Sequence, residues 1–488
     1  IARASELRVP VAPIGDGRSV LDHEQFVDRG VFVDGPHGRQ PRVPYRLGRH
    51  PGTTFTPAPR LGEHTGTIDW PARPAPTGPS TGAPLAGLRV LDLTCFWAGP
   101  SAAVSLAALG ADVVKVEAVQ RPDGMRFTST RTPDVDQWWE WGPVFCGTNA
   151  GKRGITLDLA STDGRAVLLD LVASADALLE NFSPRVMEQF DLDWPVLRAA
   201  NPNLVMVRMP GFGLTGPWRD RTGYAPTMEQ LTGLAWITGW EDLPPIVPRG
   251  ACDPLAGQHA AFALLVALEE RDRTGEGLLL EVPMVEAALA TATGPVVEAQ
   301  AYGVVQGRAG NRGPVAAPQG VYAAADDERW VAVAVATDEQ WRALVGLVDG
   351  LEDPAWATAT GRRAAHDPID AVLAPWLGAR PAAESVAALS AAGIPVAEVV
   401  SPGAVDRNPQ LVDRGFFEPL DRAVVGRHHV PSLPYRFASR GGEPWHRSPA
   451  PTLGEHNDEV LGGELGLGPA DLERLRTSGV IGERPVGT

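Results

Sequence analysis

The chain has 488 residues, 44% of them hydrophobic and 21% charged, with a formal charge of −16. That size predicts about two to four domains and a large buried core. The acidic balance argues against nucleic acid or an anionic membrane surface as the main partner. No apolar run approaches the ~18 residues that a membrane helix needs, so no membrane partner is expected.

Only two of the 43 basic residues are lysines, Lys115 and Lys152. The three cysteines, Cys95, Cys146 and Cys252, are odd in number and lack metal-ligand spacing. This pattern predicts no metal site and a reduced, cytoplasmic compartment.

In chain order, the first feature is an internal repeat. VPVAP (9–13) returns as IPVAE (394–398), VDRG (27–30) as VDRG (412–415), PYR (44–46) as PYR (434–436), and APRLGEH (58–64) as APTLGEH (450–456). Four matches in one order, at a slowly drifting offset, mark a period that one chain length does not complete. The simplest account makes residues 1–70 the C-terminal segment of an upstream unit, as in a tandem fusion. Residues 71–86, rich in Pro, Gly, Ser and Thr, are expected to be a linker.

Next comes a βαβ pattern. Strands are predicted over 88–94, 111–117, 154–159, 176–182 and 203–213, with helices over 99–110 and 163–175 between them. Alternation of this kind predicts an α/β fold whose parallel sheet carries helices on both faces. A long helix is predicted over 255–271, ended by Thr274-Gly275. Beyond it the texture changes to two short strands and a helix over 320–341, then Ala-rich helices. The expected domains are a large one over 87–312, a smaller α+β one over 313–418, and a return segment over 419–488.

Several motifs fall short of their chemistry. Glu117 ends the second strand, but the preceding turn, CFWAGPSAAVS, lacks the glycine pattern of a dinucleotide site. GTNAGK (147–152) has too short a spacing for a phosphate loop. Asp253, in RGACDPLAG (249–257), stands before the long helix and is open to two readings: a helix cap or a nucleophilic carboxylate. ENFSP (180–184) puts Asn181 and Phe182 at a strand end, where open α/β sheets bind ligands. The tryptophans of WWEW (138–141), with Trp97, are expected to pack the core or to form an aromatic wall.

Taken as an ordered set, several segments resemble the family III CoA-transferases, also called the CaiB/BaiF family. They are LAGLRVLDLTCFWAGPSAAVSLAALGADVVKVE (85–117), NAGKRGITLDL (149–159), ADALLENFSPRVMEQF (175–190), GFGLTGPW (211–218), GACDPLAGQHAAFALLVALEERDRTGEG (250–277) and APTLGEH (450–456). The resemblance implies a Rossmann-like large domain, a smaller domain, and two units threaded together as interlocked rings, as homodimer or fused halves. It implies an enzyme moving CoA from an acyl-CoA to a carboxylic acid, with CoA as substrate. Asp253 falls on the family's catalytic aspartate, which carries CoA as an aspartyl thioester through mixed anhydrides. Helix N-terminal N–H groups are then expected to hold the developing oxyanions. By the same carry-over the CoA contacts fall on Phe96, Trp97 and Ala98, with Leu157, Asn181 and Phe182 on the adenine and phosphate side.

The chain departs from the family at three positions. Trp97 stands where a Gln or other polar residue is common, Ala118 where an arginine is, and Ala225 where an acid is. Arg121 or Arg126 is expected to supply the missing positive charge. In the racemase branch, α-methylacyl-CoA racemase, a His occupies the position of Tyr224, and tyrosine is a poor base at neutral pH. The alternatives carried with CoA transfer are transfer coupled to a lyase or isomerase step, that racemase, and an acyl-CoA-binding half of a pseudo-dimer without catalysis.

Overall fold

The computed structural model describes residues 2–48, 55–72 and 82–488. Most of the expected linker, 71–86, lies outside the described residues. The chain divides into a large unit (1–236, 246–306 and 415–488) and a small unit (237–245 and 307–414).

The large unit opens with an antiparallel hairpin, β1 (Phe32–Gly35) and β2 (Gly38–Pro41). Its core is a seven-stranded sheet made of β3 (Arg46–Leu47), β4 (Arg89–Asp92), β5 (Asp112–Glu117), β6 (Arg153–Thr156), β7 (Ala177–Glu180), β8 (Val205–Arg208) and β9 (Leu278–Glu281). Their order is β3-β9-β8-β7-β4-β5-β6; all neighbours are parallel except the edge pair β3–β9.

Both faces of this sheet are covered, which is why its strands are continuous apolar runs. Val90, Val113, Leu179 and Val207 pack beneath the helices Ala98–Ala108 and Cys252–Thr274. Leu91, Val114, Leu178 and Met206 pack with residues of the helices Thr162–Val172, Trp194–Ala200 and Pro469–Thr477. The Cys252–Thr274 helix stops where Gly275 enters the left-handed region at φ 73°, a conformation that glycine adopts without strain.

The strands are shorter than the sequence suggests, mainly at their carboxyl ends. Asp92 Oδ1 accepts the Thr94 N–H at 3.0 Å, and Glu180 Oε2 accepts the Phe182 N–H at 2.8 Å. These acidic side chains fold the backbone away from the ladder and into the loops that follow.

The small unit holds an antiparallel sheet of β10 (Gln319–Ala323), β11 (Trp330–Ala334) and β12 (Val396–Glu398), with the helix Asp338–Val345 after β11. Residues 237–245, expected within the large domain, belong here: Gly310 N–H donates to Gly239 O at 2.8 Å, and a Cβ at Gly310 would lie 2.3 Å from the Trp240 ring. The chain re-enters the large unit at residue 415 with a second hairpin, β13 (Phe417–Arg422) and β14 (Gly426–Pro431).

The repeated VDRG and PYR segments therefore flank a hairpin in each copy, β1–β2 and β13–β14. Residues 2–48 pack into this chain's own large unit, because buried acids there need their arginines. Arg29 pairs with Glu281 at 2.8 Å and Glu286 at 2.7 Å, and Arg42 pairs with Glu286 at 2.6 Å. β3 then extends the sheet, setting Arg46 against Glu281 and Leu47 against Leu280.

Candidate active site

Strand order reverses between β4 and β7: β5 and β6 continue outward from β4, while β8 and β9 continue outward from β7. Loops leaving adjacent carboxyl ends diverge at such a point and leave a crevice for ligands. Asn181, just past β7, spans it. Its Oδ1 accepts the Cys95 N–H and its Nδ2 donates to the Cys95 carbonyl, both at 2.8 Å. Its amide thus clamps the loop after β4. The next residue, Phe96, sits at φ 66°, unusual for an aromatic side chain. Asp123 holds it there, accepting the Phe96 N–H at 2.8 Å while paired with Lys115 at 3.0 Å.

The Ala98–Ala108 helix starts from this loop and crosses the Cys252–Thr274 helix at Gly257. A Cβ on Gly257 would stand 2.6 Å from the Ala98 carbonyl oxygen, so only glycine permits this approach. The crossing brings the first turn of the longer helix to Trp97, whose ring would lie 2.7 Å from a Cβ on Gly250. Tyr224 packs edge-on to Phe96 with ring centroids 5.4 Å apart. Phe96, Trp97, Ala98 and Asp253 are therefore gathered at one place.

Asp253 is not the cap of its helix. Glu229, fully buried on the helix Ala225–Leu231, instead holds the turn that leads into the helix and takes its first N–H. Its Oε1 accepts the N–H groups of Gly250 at 2.9 Å and Cys252 at 3.2 Å, and its Oε2 accepts that of Arg249 at 3.0 Å. Asp253 Oδ1 is buried and, among the described residues, accepts no hydrogen bond. Burial and then the Glu229 carboxylate raise Asp253 from the usual carboxylate range to about 7. The N–H groups of Arg249, Gly250 and Cys252 are thus occupied by Glu229.

Leu157 and Phe182 stand at the same carboxyl edge but belong to the opposite layer of the sheet. Leu157 is fully buried there, its N–H donating to Glu117 O at 2.7 Å. Phe182 is half-buried against that layer. Arg126 does not supply the missing phosphate charge: it is fully buried between Glu117 at 2.7 Å and Glu140 at 2.6 Å. Arg121 is exposed. Of the tryptophan cluster, Trp139 is buried as packing, and Trp138 rests on Phe127 at 5.5 Å.

Sequence reasoning missed Glu229 and Asp123, the two carboxylates that shape the site loops. Both lysines are fully buried under it; Lys152 meets Asp92 at 2.7 Å and Asn149 at 2.8 Å. In a chain that otherwise uses arginine, these are positions where a compact ammonium fits.

Comparison with known proteins agrees with this arrangement. The sequence model of CoA-transferase family III matches residues 1–65 and 85–457. The chain is 33% identical over 407 residues to succinyl-CoA–D-citramalate CoA-transferase of Chloroflexus aurantiacus, covering 82% of this chain and 98% of that protein. It is 31% identical over 419 residues to formyl-CoA:oxalate CoA-transferase of Streptomyces coelicolor, covering 82% and 100%. A probable CoA-transferase of Mycobacterium tuberculosis is 28% identical over 509 residues, 97% of this chain but 61% of that protein. The crystal structure of a CaiB/BaiF family protein from Brucella suis superposes with a TM-score of 0.69 at 29% identity, covering 78% of this chain and 99% of that one. With a family match over most of its length and the same fold in a solved relative, this chain belongs to CoA-transferase family III.

Proposed function

We propose that the protein is an acyl-CoA:carboxylate CoA-transferase that works through Asp253. The observation that carries this reading is a carboxylate with a free, buried oxygen at a helix start whose leading turn is held by another residue. An Asp Oδ attacks the thioester carbonyl of the donor; the C–S bond breaks and CoA leaves as thiolate. The thiolate then attacks Asp253 Cγ, the anhydride C–O bond breaks, and the donor acid departs. Asp253 now carries CoA as a thioester. An acceptor carboxylate attacks the same carbon and expels the thiolate, which attacks the acceptor carbonyl and frees Asp253. Covalent capture splits one difficult exchange into steps that conserve the thioester.

The raised proton affinity of Asp253 suits this chemistry. An ordinary carboxylate, with a pKa of about 4, is a far weaker base than a thiolate of about 8.5, so displacing the thiolate is uphill. At about 7, Asp253 is a stronger nucleophile and the gap narrows, while part of it stays ionised near neutral pH. Mixing the protein with an acyl-CoA and measuring intact mass tests the reading: an aspartyl-CoA adduct on the peptide holding Asp253, released by hydroxylamine, is expected.

We place the CoA moiety in the crevice at the β4–β7 edge, with Phe182 offering a ring to the nucleotide. Phe182→Ala is expected to raise KM for CoA esters by about three- to tenfold with little change in kcat, from lost stacking area. Unchanged KM for every ester tested would move the nucleotide elsewhere.

We infer that the working assembly contains two such units, interlocked as fused halves or as a dimer, in the cytoplasm. The repeated hairpin, the separate family match to 1–65, and the longer Mycobacterium tuberculosis relative support the pairing. Three free cysteines fit a reducing compartment.

A further inference from the structure

We propose that Glu229 is a positioning residue for Asp253: it holds the 249–252 turn that presents the carboxylate and keeps a negative charge behind it. The proposal rests on Asp253 as nucleophile and goes beyond it, to what keeps that nucleophile free.

A helix N-terminus offers unpaired N–H groups, and an Asp in the first turn ordinarily turns back to take them. An Asp spent this way is hydrogen-bonded and its proton affinity falls. Little is left for Asp253 to take: Glu229 accepts the Cys252 N–H together with those of Arg249 and Gly250, the Asp253 N–H donates to Gly250 O at 3.2 Å, and Pro254 has none. Glu229 also fixes an unfavourable backbone: Arg249 lies at φ 66° and Gly250 at φ 112°, both left-handed. Trp97 closes on Gly250 from the other side, so the turn has one shape.

The helix bearing Glu229 is itself pinned. At its start the Tyr224 N–H donates to Thr227 Oγ1 at 3.1 Å, and at its end the Gly15 N–H donates to Gln230 O at 2.8 Å. A Cβ on Gly15 would lie 2.2 Å from Leu231 O. Glu229 is thus held at a fixed distance from the turn, and the leading segment of the chain helps to hold it.

The charges around Asp253 leave Glu229 as its dominant neighbour. The Ala98–Ala108 helix on the opposite side carries no ionisable side chain. On the helix Met284–Thr291 the carboxylate of Glu286 is taken by Arg29 and Arg42. Cys252 is a buried thiol whose ionisation is suppressed by burial and then by Asp253 and Glu229.

The consequence is a pH dependence of known sign. Asp253 binds its proton more tightly folded than unfolded, so its contribution to stability is fully present below about pH 4 and is lost as pH rises toward 7. Nucleophilic reactivity rises over the upper part of that window.

The test follows single-turnover formation of the aspartyl-CoA adduct by mass spectrometry from pH 5.5 to 9 in wild type, Glu229→Gln and Glu229→Asp. Glu229→Gln removes the charge and sets an amide against the Arg249 N–H; its midpoint is expected to fall by about one pH unit. Glu229→Asp keeps the charge but shortens the reach. It is expected to form adduct about tenfold more slowly with a midpoint near that of wild type. A Glu229→Gln midpoint within about 0.3 unit of wild type, or a Glu229→Asp variant with wild-type rates throughout, overturns the proposal. Should Glu229→Gln fail to fold, the Glu229→Asp rate decides alone. If wild type forms no adduct at any pH, the nucleophile reading fails instead. Urea unfolding from pH 5 to 8 then still decides the coupling: wild type should lose more stability than Glu229→Gln as pH rises, and equal slopes overturn it.

Discussion

Asp253→Asn is expected to lower CoA transfer by at least about a thousandfold while leaving the fold intact. The substitution keeps the size and shape of the side chain and removes the carboxylate that we propose forms the anhydride and the thioester. Helix capping does not confound the result, because Glu229 rather than Asp253 accepts the N–H groups of Arg249, Gly250 and Cys252. The variant also loses a carboxylate that is buried beside another, so its stability at pH 8 should equal or exceed that of wild type. CoA-ester binding, which we place at the β4 and β7 loops, should stay within a few-fold. Turnover, binding by calorimetry, and the absence of an adduct by intact mass check the three parts separately. A variant that still exchanges CoA at a near-normal rate would sink the nucleophile reading. A variant that loses activity together with its fold would show that the charge is structural.

Much of this site was legible because parallel strands advertise themselves. The apolar runs ending at Asp92 and Glu180 fall within the predicted strands, and the ligand-bearing edge of an open α/β sheet follows from the strand direction alone. The repeated VDRG segments were legible as well, and both lead into hairpins. What pattern could not supply is partnership across long separations. Glu229 meets residues 249–252 some twenty positions away, with no periodicity to announce it. Asn181 sits where a ligand contact was expected, yet its amide is spent on Cys95. Arg126 looked like a spare cation and is instead walled in by Glu117 and Glu140. β3 has only two residues, too few to show alternation, and its position depends on ion pairs that sequence does not display.

Those ion pairs set the second large effect. Arg29→Met is expected to destabilise the large unit by about 3–5 kcal/mol, lowering its Tm by roughly 5 °C or more. The Arg29 guanidinium has no exposed surface and bridges Glu281 and Glu286, themselves 10% and 1% exposed. Its Nη1 also donates to Thr215 Oγ1 at 2.9 Å. It lies beneath Gly213, at φ 105°, where a Cβ would come within 2.3 Å of the guanidinium carbon. Gln25 stitches the same loop by donating to Phe212 O at 2.6 Å and accepting the Trp218 N–H at 2.7 Å. Methionine fills much of the space and restores none of the charge, so Glu281 and Glu286 must share Arg42 and Arg46 or take up protons. Most of the cost is therefore the stranded acids, not the lost pair. Adding Glu281→Gln and Glu286→Gln to Arg29→Met should recover part of the stability, a coupling that independent sites would not show. Arg39, half-exposed and paired with an exposed Asp22, is the control: Arg39→Met should change Tm by about 1 °C or less. The loop that Arg29 supports runs on to Tyr224 and the helix bearing Glu229, so lost anchoring should also slow adduct formation at Asp253. An Arg29→Met protein as stable as the Arg39→Met control would mean that residues 2–48 rest on the large unit without completing it.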